Sequence, residues 1–443
     1  MSARPDALKV GYYGDDFTGA TDTLSNAARA GLKARLFLRV PTAEQLERSG
    51  PLDVLGIAGA ARSMTPSEME TELAPVRDFF VQLRAPVVHY KICSTFDSAP
   101  HAGNIGAAIG VLRPLAANPL VAIVGGQPNL GRWCLFSTLY AAAGVDGAVY
   151  RIDRHPTMSR HPVTPMNEAD LRRHLQAQGL QVASIEYVTY PLGQEALERA
   201  IDDRLAHRPD AVLFDVSRDA DLPRIGAAIW RRAVQSRMLA IGASSVLQAL
   251  IAHWREAGAG ADSATRAMSI APAAGPVLVL AGSLSPITAG QVAASRSYRR
   301  VQLDARQLAS AHGADIEAIA ACIAQRLRSG EHVLAVTADE HPHATTDARA
   351  ISSRAVAVGC ARLVREVLSR TKVGRLGIAG GDTSSHVALN SGAWALSWIG
   401  NLAEGVPVCR LHADNAAIDG LEVMLKGGQM GPPEVFEQLV RGR

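Results

Sequence analysis

Three carboxylates fall within eight residues near the start of the chain, in Gly14-Asp15-Asp16-Phe17-Thr18-Gly19-Ala20-Thr21-Asp22, together with two threonine hydroxyls. Like charges this close are costly unless a cation or a polyol stands among them. Asp15, Asp16 and Asp22 could accept hydrogen bonds from sugar hydroxyls, take a proton from an attacking hydroxyl, or hold Mg²⁺, and the residues alone leave all three open. A helix N-cap accounts for one aspartate at such a turn but not for three. The apolar run Leu8–Tyr13 reads as a strand, and a helix is expected to begin near Thr21–Asp22. The acids therefore lie at the carboxyl end of a strand, where open α/β sheets bind ligands.

A second cluster, Lys91-Ile92-Cys93-Ser94-Thr95-Phe96-Asp97-Ser98, follows the apolar run Pro86–Ile92. Lys91 beside two hydroxyls could hold a carboxylate, although a strand-end lysine also extends readily into solvent. Cys93 fits a small core residue better than a nucleophile. A third cluster runs from Asp153 to Met166 and contains two His-Pro pairs, which exclude a helix. Arg154, His155, Arg160 and His161 make it rich in cationic donors, so an anion-binding loop is expected, with a plain solvated loop as the alternative. A metal site is disfavoured, because no Cys or carboxylate falls at ligand spacing.

Glycine and hydroxyl residues follow two apolar runs in the last third of the chain. Pro276–Ala281 leads into Gly282-Ser283-Leu284-Ser285-Pro286-Ile287-Thr288, and Arg375–Ala379 leads into Gly380-Gly381-Asp382-Thr383-Ser384-Ser385. Glycine removes the Cβ that would block a phosphate, and the helix behind it offers free N–H groups. A third loop, Lys426-Gly427-Gly428-Gln429-Met430-Gly431, adds a cation. Three such loops in one domain point to nucleotide phosphates. There is no GxxxxGK[ST] and no GxGxxG with a distant acid, so neither a P-loop NTPase nor an NAD dehydrogenase is supported. His341-Pro342-His343 lacks a third ligand nearby. Gly242-Ala243-Ser244-Ser245 lacks the second glycine of a serine-hydrolase elbow, though it could line a cleft.

Recurrent short strands must position these loops. Further examples are Leu52–Ala58, Leu120–Val124, Ala211–Val216, Met238–Ile241 and His332–Thr337, alternating with helical stretches such as Glu168–Gln178, Glu195–Ala206 and Ile316–Arg328. The pattern predicts an α/β protein of two domains, each a mainly parallel sheet flanked by helices. The Ala- and Gly-rich stretch 255–275 reads as a linker between residues 1–254 and 276–443. The chain has 443 residues, 48% hydrophobic and 20% charged, which suits ordered domains. Its net charge of +3 argues against a dedicated nucleic-acid binder. The five scattered cysteines favour a reducing cytoplasm over a disulfide framework. No secretory h-region and no apolar run of about 18 residues is present, so no membrane association is expected.

DDFTGATD at 15–22, KxxST at 91–95, HPVTPM at 161–166, GSLSPIT at 282–288, GGDTSS at 380–385 and KGGQMG at 426–431 occur in the order found in the four-carbon acid sugar kinase family, which the chain resembles over nearly its whole length. The resemblance implies an acid-sugar substrate on the N-terminal domain and ATP, with Mg²⁺, on the C-terminal one. It also implies transfer to the terminal hydroxyl of a four-carbon or branched five-carbon sugar acid or its 3-oxo form. By position, Asp15 and Asp16 would be catalytic, one of them as base. Asp22, Lys91 and Ser94 match the family motifs and would bind substrate, and Arg154, His155 and His161 of the cationic loop are expected to hold its carboxylate. Ser283, Gly380, Gly381, Asp382, Thr383 and Gly428 would bind ATP, with Asp382 also a Mg²⁺ ligand. Many members carry Leu-Arg-Gly after the Ser-Thr pair. This chain has Phe96-Asp97-Ser98 there, so the arginine that the resemblance leads one to expect is absent from that turn. KGGQMG differs from KSGNFG at three positions and keeps Lys426, Gly428 and Gly431. The rival expectations are a nucleotide-independent aldolase or lyase on the same acids and a non-catalytic sugar-acid sensor. Beyond the small-molecule substrate, a second copy of the chain is the partner the sequence allows.

Overall fold

The computed structural model describes residues 8–144, 147–161, 163–258, 269–282, 285–310, 313–337 and 353–443. The chain divides into two units, Met1–Arg266 and Ala267–Arg443.

The N-terminal unit is built on a parallel sheet. Its strands are β1 (Val10–Gly14), β2 (Ala34–Phe37), β3 (Val54–Ala58), β4 (Val87–Lys91), β5 (Val121–Val124), β10 (Val182–Ile185), β11 (Ala211–Phe214) and β12 (Met238–Gly242). They lie in the order β10-β11-β5-β12-β4-β1-β3-β2, and every pairing is parallel. All residues of β1, β3, β4 and β12 are buried, as expected of strands covered on both faces.

The segment after β5 forms an antiparallel sheet that the sequence reading did not anticipate. It consists of β6 (Gly126–Gln127), β7 (Arg132–Leu135), β8 (Thr138–Ala142) and β9 (Val149–Arg151). Asp215, at the end of β11, anchors it. The buried Asp215 carboxylate accepts hydrogen bonds from the backbone N–H groups of Phe136 (2.6 Å), Ser137 (2.9 Å) and Tyr187 (3.3 Å). Phe136 and Ser137 have φ of 48° and 64°, a left-handed turn that these bonds help to hold.

The C-terminal unit contains β13 (Val277–Ala281), β14 (Tyr298–Gln302), β15 (His332–Val336), β16 (Arg375–Ala379), β17 (Ala393–Ala403), β18 (Val406–Ala413) and β19 (Glu422–Lys426). Strands β19-β16-β13-β15-β14 are parallel, and β18 and β17 continue the order as an antiparallel pair. Val279, Ala379, Val408, Met424 and Phe436 form part of its core. Each unit is thus α/β with a mainly parallel sheet.

Two local expectations change. The first helix spans Phe17–Arg29, starting before Thr21, because the Asp16 side chain caps it by accepting from Gly19 N at 2.8 Å. Within the expected linker, Arg255 and Glu256 finish a helix, residues 259–268 lie outside the described residues, and Ile270 is buried in the core of the second unit. Among the described residues no helix is long and apolar enough to cross a membrane.

Candidate active site

Strand order fixes where the first site falls. β1 pairs with β3 on one side and β4 on the other, so the chain reverses its winding direction at β1. In parallel sheets the crevice at such a reversal, beyond the carboxyl ends of the strands, is where ligands bind. Asp15 and Asp16 follow β1 there, the Lys91–Asp97 segment ends and follows β4, and the loop after β3 brings Arg62.

Arg62 was not singled out in the sequence, yet it is the hub of the cluster. Its Nη2 lies 3.0 Å from Asp15 Oδ1 and 2.9 Å from Asp16 Oδ1, and its Nε lies 3.4 Å from Asp15 Oδ2 and 3.9 Å from Asp97 Oδ2. The positive charge among the acids is therefore a guanidinium. Burial pushes the Asp15 carboxyl up to about 6; Asp16 pushes the same way, while Arg62 and Lys91 pull it down. Burial also acts to raise Asp97, but Arg62, the Thr95 and Cys93 hydrogen bonds and the nearby His161 outweigh it and hold that carboxyl below the usual range. Burial pushes the Cys93 thiol up to about 11, which makes it inert as a nucleophile.

Lys91 is buried at the end of β4, and its Nζ donates to Ile92 O at 2.8 Å. A Cβ at Gly19 would stand 2.2 Å from that Nζ and 2.5 Å from Asp16 Oδ1, so glycine is what lets the ammonium and the capping carboxylate sit against the helix. Ser94 is buried in the turn that leads to Asp97. Asp22 faces a different set of groups one turn along the helix. Its Oδ2 accepts from Gln127 Nε2 at 3.3 Å and from the Ser244 hydroxyl, which ties the loop after β12 to this helix.

The basic loop divides. Arg154 is exposed. His155 is buried and its ring is spent on its own loop and on β8: Nδ1 accepts from the N–H groups of Thr157 and Met158 at 3.2 Å, and Nε2 lies 3.4 Å from Ala142 O. His161 accepts from Thr164 through Nδ1 and is close enough to Asp97 to affect its charge. Arg132, on β7, is a further residue that sequence reasoning passed over. Its Nε is buried with no acceptor among the described residues, and the charges of Cys93 and Asp97 act on it.

The second cluster is on the C-terminal unit, where the glycine loops follow the adjacent strands β13, β16 and β19. Gly282 N donates to Ala379 O at 2.8 Å and Gly380 N to Lys426 O at 3.0 Å, which lace the three strand ends together. A Cβ at Gly282 would meet the Thr383 hydroxyl at 2.3 Å. Gly380, with φ of 131°, precedes the helix Gly381–Leu389, and Thr383 is buried in its first turn. Gly428 O accepts from the hydroxyls of Ser285 (2.5 Å) and Thr288 (3.0 Å), so the third loop is closed onto the first. Ser283, the Asp382 side chain and His341-Pro342-His343 lie outside the described residues.

Lys426 is fully buried at the end of β19. Its Nζ reaches only Gly427 O at 3.0 Å, Thr288 Oγ1 at 3.5 Å and the face of Phe436, and no acid among the described residues pairs with it. Burial lowers its pKa to about 8. A buried cation with no counter-ion among the described residues, beside glycine-rich strand ends, suits an anion.

A cluster of acids and cations on one α/β unit, and glycine loops around a cation on another, is the arrangement of a two-part sugar kinase. The comparisons agree. Residues 10–250 match the model of a sugar-binding N-terminal domain and residues 278–436 that of a nucleotide-binding C-terminal domain. The chain is 38% identical to a 3-oxo-isoapionate kinase of Paraburkholderia graminis over 100% of its length and 96% of that protein. It is 30% identical to a 3-oxo-tetronate kinase of Methylobacterium radiotolerans over 97% of its length and 98% of that protein. A solved structure from Salmonella typhimurium LT2 is similar in fold, with a TM-score of 0.79 at 25% identity, over 98% of this chain and 99% of that one. The chain belongs to the four-carbon acid sugar kinase family, and it is an enzyme of the kinase class.

Proposed function

We propose that the protein transfers the terminal phosphoryl group of ATP to the terminal hydroxyl of a small sugar acid or its 3-oxo form, with four carbons or a branched five-carbon skeleton. The relatives named for 3-oxo-isoapionate and 3-oxo-tetronate support the 3-oxo acids as first substrates. The observation that carries the reading is the convergence of Asp15, Asp16 and Asp97 on Arg62 beside the buried Lys91.

Phosphoryl transfer asks a protein for positioning, charge neutralisation and a base for the attacking hydroxyl. Asp15 is the better base of the adjacent pair. Its carboxyl, held near 6, is ionised at neutral pH yet basic enough to accept a proton. Lys91 and Arg132 are the cations that fit the substrate carboxylate, with His161 as a ring-nitrogen partner and Ser94 as a hydroxyl partner. Asp22 acts from further along the helix, through the Gln127–Ser244 network. Arg154 and His155 fit this role less well, the first for its exposure and the second for its occupied ring.

On the C-terminal unit, Gly380, Gly381, Thr383 and Gly428, with Ser283, would cradle the ATP phosphates, and Lys426 would supply the counter-charge. Mg²⁺ would arrive with the phosphates and neutralise their charge. Among the described residues no group of three or more His, Cys, Asp or Glu side chains could hold a metal ion, so Asp382 is the protein ligand to test.

The direct test is ADP release across four-carbon and branched five-carbon sugar acids and their 3-oxo forms, for the native protein, Asp15→Asn and Asp16→Asn. ADP release should depend on one of these acids. Asp15→Asn should lower kcat at least about 10²-fold, more than Asp16→Asn does. Near-normal turnover in Asp15→Asn removes Asp15 as the base, and no ADP release with any acid removes the kinase reading for these substrates.

A further inference from the structure

Arg62 comes from the loop after β3 and meets acids from two other strand ends. The backbone joins them as well: Arg62 N donates to Asp15 O at 3.1 Å, and Gly59 N donates to Gly14 O at 2.9 Å. The residue is therefore fixed at its main chain and at its guanidinium against the same loop. One nitrogen, Nη2, lies within 3.0 Å of an oxygen from each of the two adjacent aspartates. Without a cation between them, the two carboxylates would repel and one would keep its proton. A planar fork of donors can bridge two carboxylates while its Nε serves a third group; the point charge of a lysine cannot do so in the same geometry.

We infer that Arg62 is the positioning residue of the acceptor site: its guanidinium holds Asp15 and Asp16 side by side, and so sets the pH range in which the base works. This rests on the reading of Asp15 as the base. The groups that face Asp15 are Asp16 on its own loop, Arg62 from the loop after β3, Lys91 and Tyr90 from β4, and Tyr13 from β1; Cys93 and Asp97 act on Arg62 from the loop after β4. Of the two cations, Arg62 alone makes ion-pair contacts with both aspartates among the described residues.

The test compares native protein, Arg62→Gln and Arg62→Lys in two measurements. One is the pH dependence of kcat/KM for ADP release with 3-oxo-isoapionate or 3-oxo-tetronate, whichever turns over faster. The other is the carboxyl ¹³C titration of Asp15, assigned by its loss in Asp15→Asn. In Arg62→Gln the Asp15 midpoint and the acid limb of kcat/KM should move up together, by about one pH unit. Activity should therefore fall more at pH 6 than at pH 8, with Arg62→Lys between the two. If both midpoints stay where they are in Arg62→Gln, or if only KM for the acid substrate rises, Arg62 binds substrate or supports the fold and the inference is overturned. Arg62→Lys decides in the same way should Arg62→Gln not fold. Failure of Asp15 as base shows separately, as retained turnover in Asp15→Asn, while the carboxyl titration still reports whether Arg62 governs Asp15.

Discussion

Lys426 carries a stability cost that its role explains. It holds its charge in a buried position with contacts to a carbonyl, a hydroxyl and the Phe436 face and to no acid among the described residues, and its pKa falls to about 8. The sign follows from proton linkage. A base whose folded pKa is depressed penalises the folded state wherever it is charged, here below about pH 8, and the penalty fades as pH rises through that value. At neutral pH the cost is on the order of 3 kcal/mol at most. Lys426→Met should therefore melt at a higher temperature than the native protein at pH 7 without nucleotide, and it should gain less from added ADP. A lower melting temperature together with an undiminished ADP shift would remove Lys426 from the phosphate site. Lys426 could be read from the sequence as a cation in a glycine loop, but its isolation could not, because whether an acid stands nearby depends on Ser285 and Thr288 from a loop about 140 residues away. Arg62 was illegible for a related reason. An arginine in a short loop is ordinary until the acids that surround it are known, and only a search of every strand end on the same sheet edge would have drawn attention to it.

At the scale of elements, the parallel strands were the legible part. Runs such as Val121–Val124 and Val277–Ala281 are apolar along their length because both faces are covered. The antiparallel pieces were not legible. β6 has two residues, β7 reads Arg-Trp-Cys-Leu, and β17 mixes buried and half-buried positions around register shifts, so none shows a clean period of two. The first helix was placed too late because its opening, Phe17-Thr18-Gly19, contains a glycine and a β-branched residue that argue for a turn. Gly19 has a use there. Gly19→Ala should lower the melting temperature, because losing the Asp16 cap and displacing the buried Lys91 ammonium outweigh the up to about 1 kcal/mol by which alanine favours a helix. It should also raise KM for the sugar acid, because the new methyl group moves both groups out of place. An unchanged KM would show that neither group is placed by that contact.

For the whole molecule, the near-zero net charge gave no hint of how charge is distributed. On the N-terminal unit Asp15, Asp16 and Asp97 gather around Arg62 beside Lys91, and on the C-terminal unit Lys426 is buried with no acid paired to it among the described residues. Sequence motifs located both clusters, and family resemblance gave them a chemical meaning that spacing alone left open among hydroxyl recognition, base catalysis and metal binding. Asp15 near pH 6 makes substrate capture and chemistry pull in opposite directions. An anionic sugar acid entering beside Asp15 favours its protonated form, so binding should take up a fraction of a proton between about pH 6 and 7. Calorimetric titration of the sugar acid in buffers of different ionisation enthalpy should show this as a buffer-dependent heat, and the dependence should vanish in Asp15→Asn. Equal heats in all buffers would mean that the carboxylate sits away from Asp15. If the uptake is present, the protein gathers its substrate best in mildly acidic solution and turns it over best in mildly alkaline solution. Acidification of the surroundings would then load the enzyme with sugar acid while slowing its consumption.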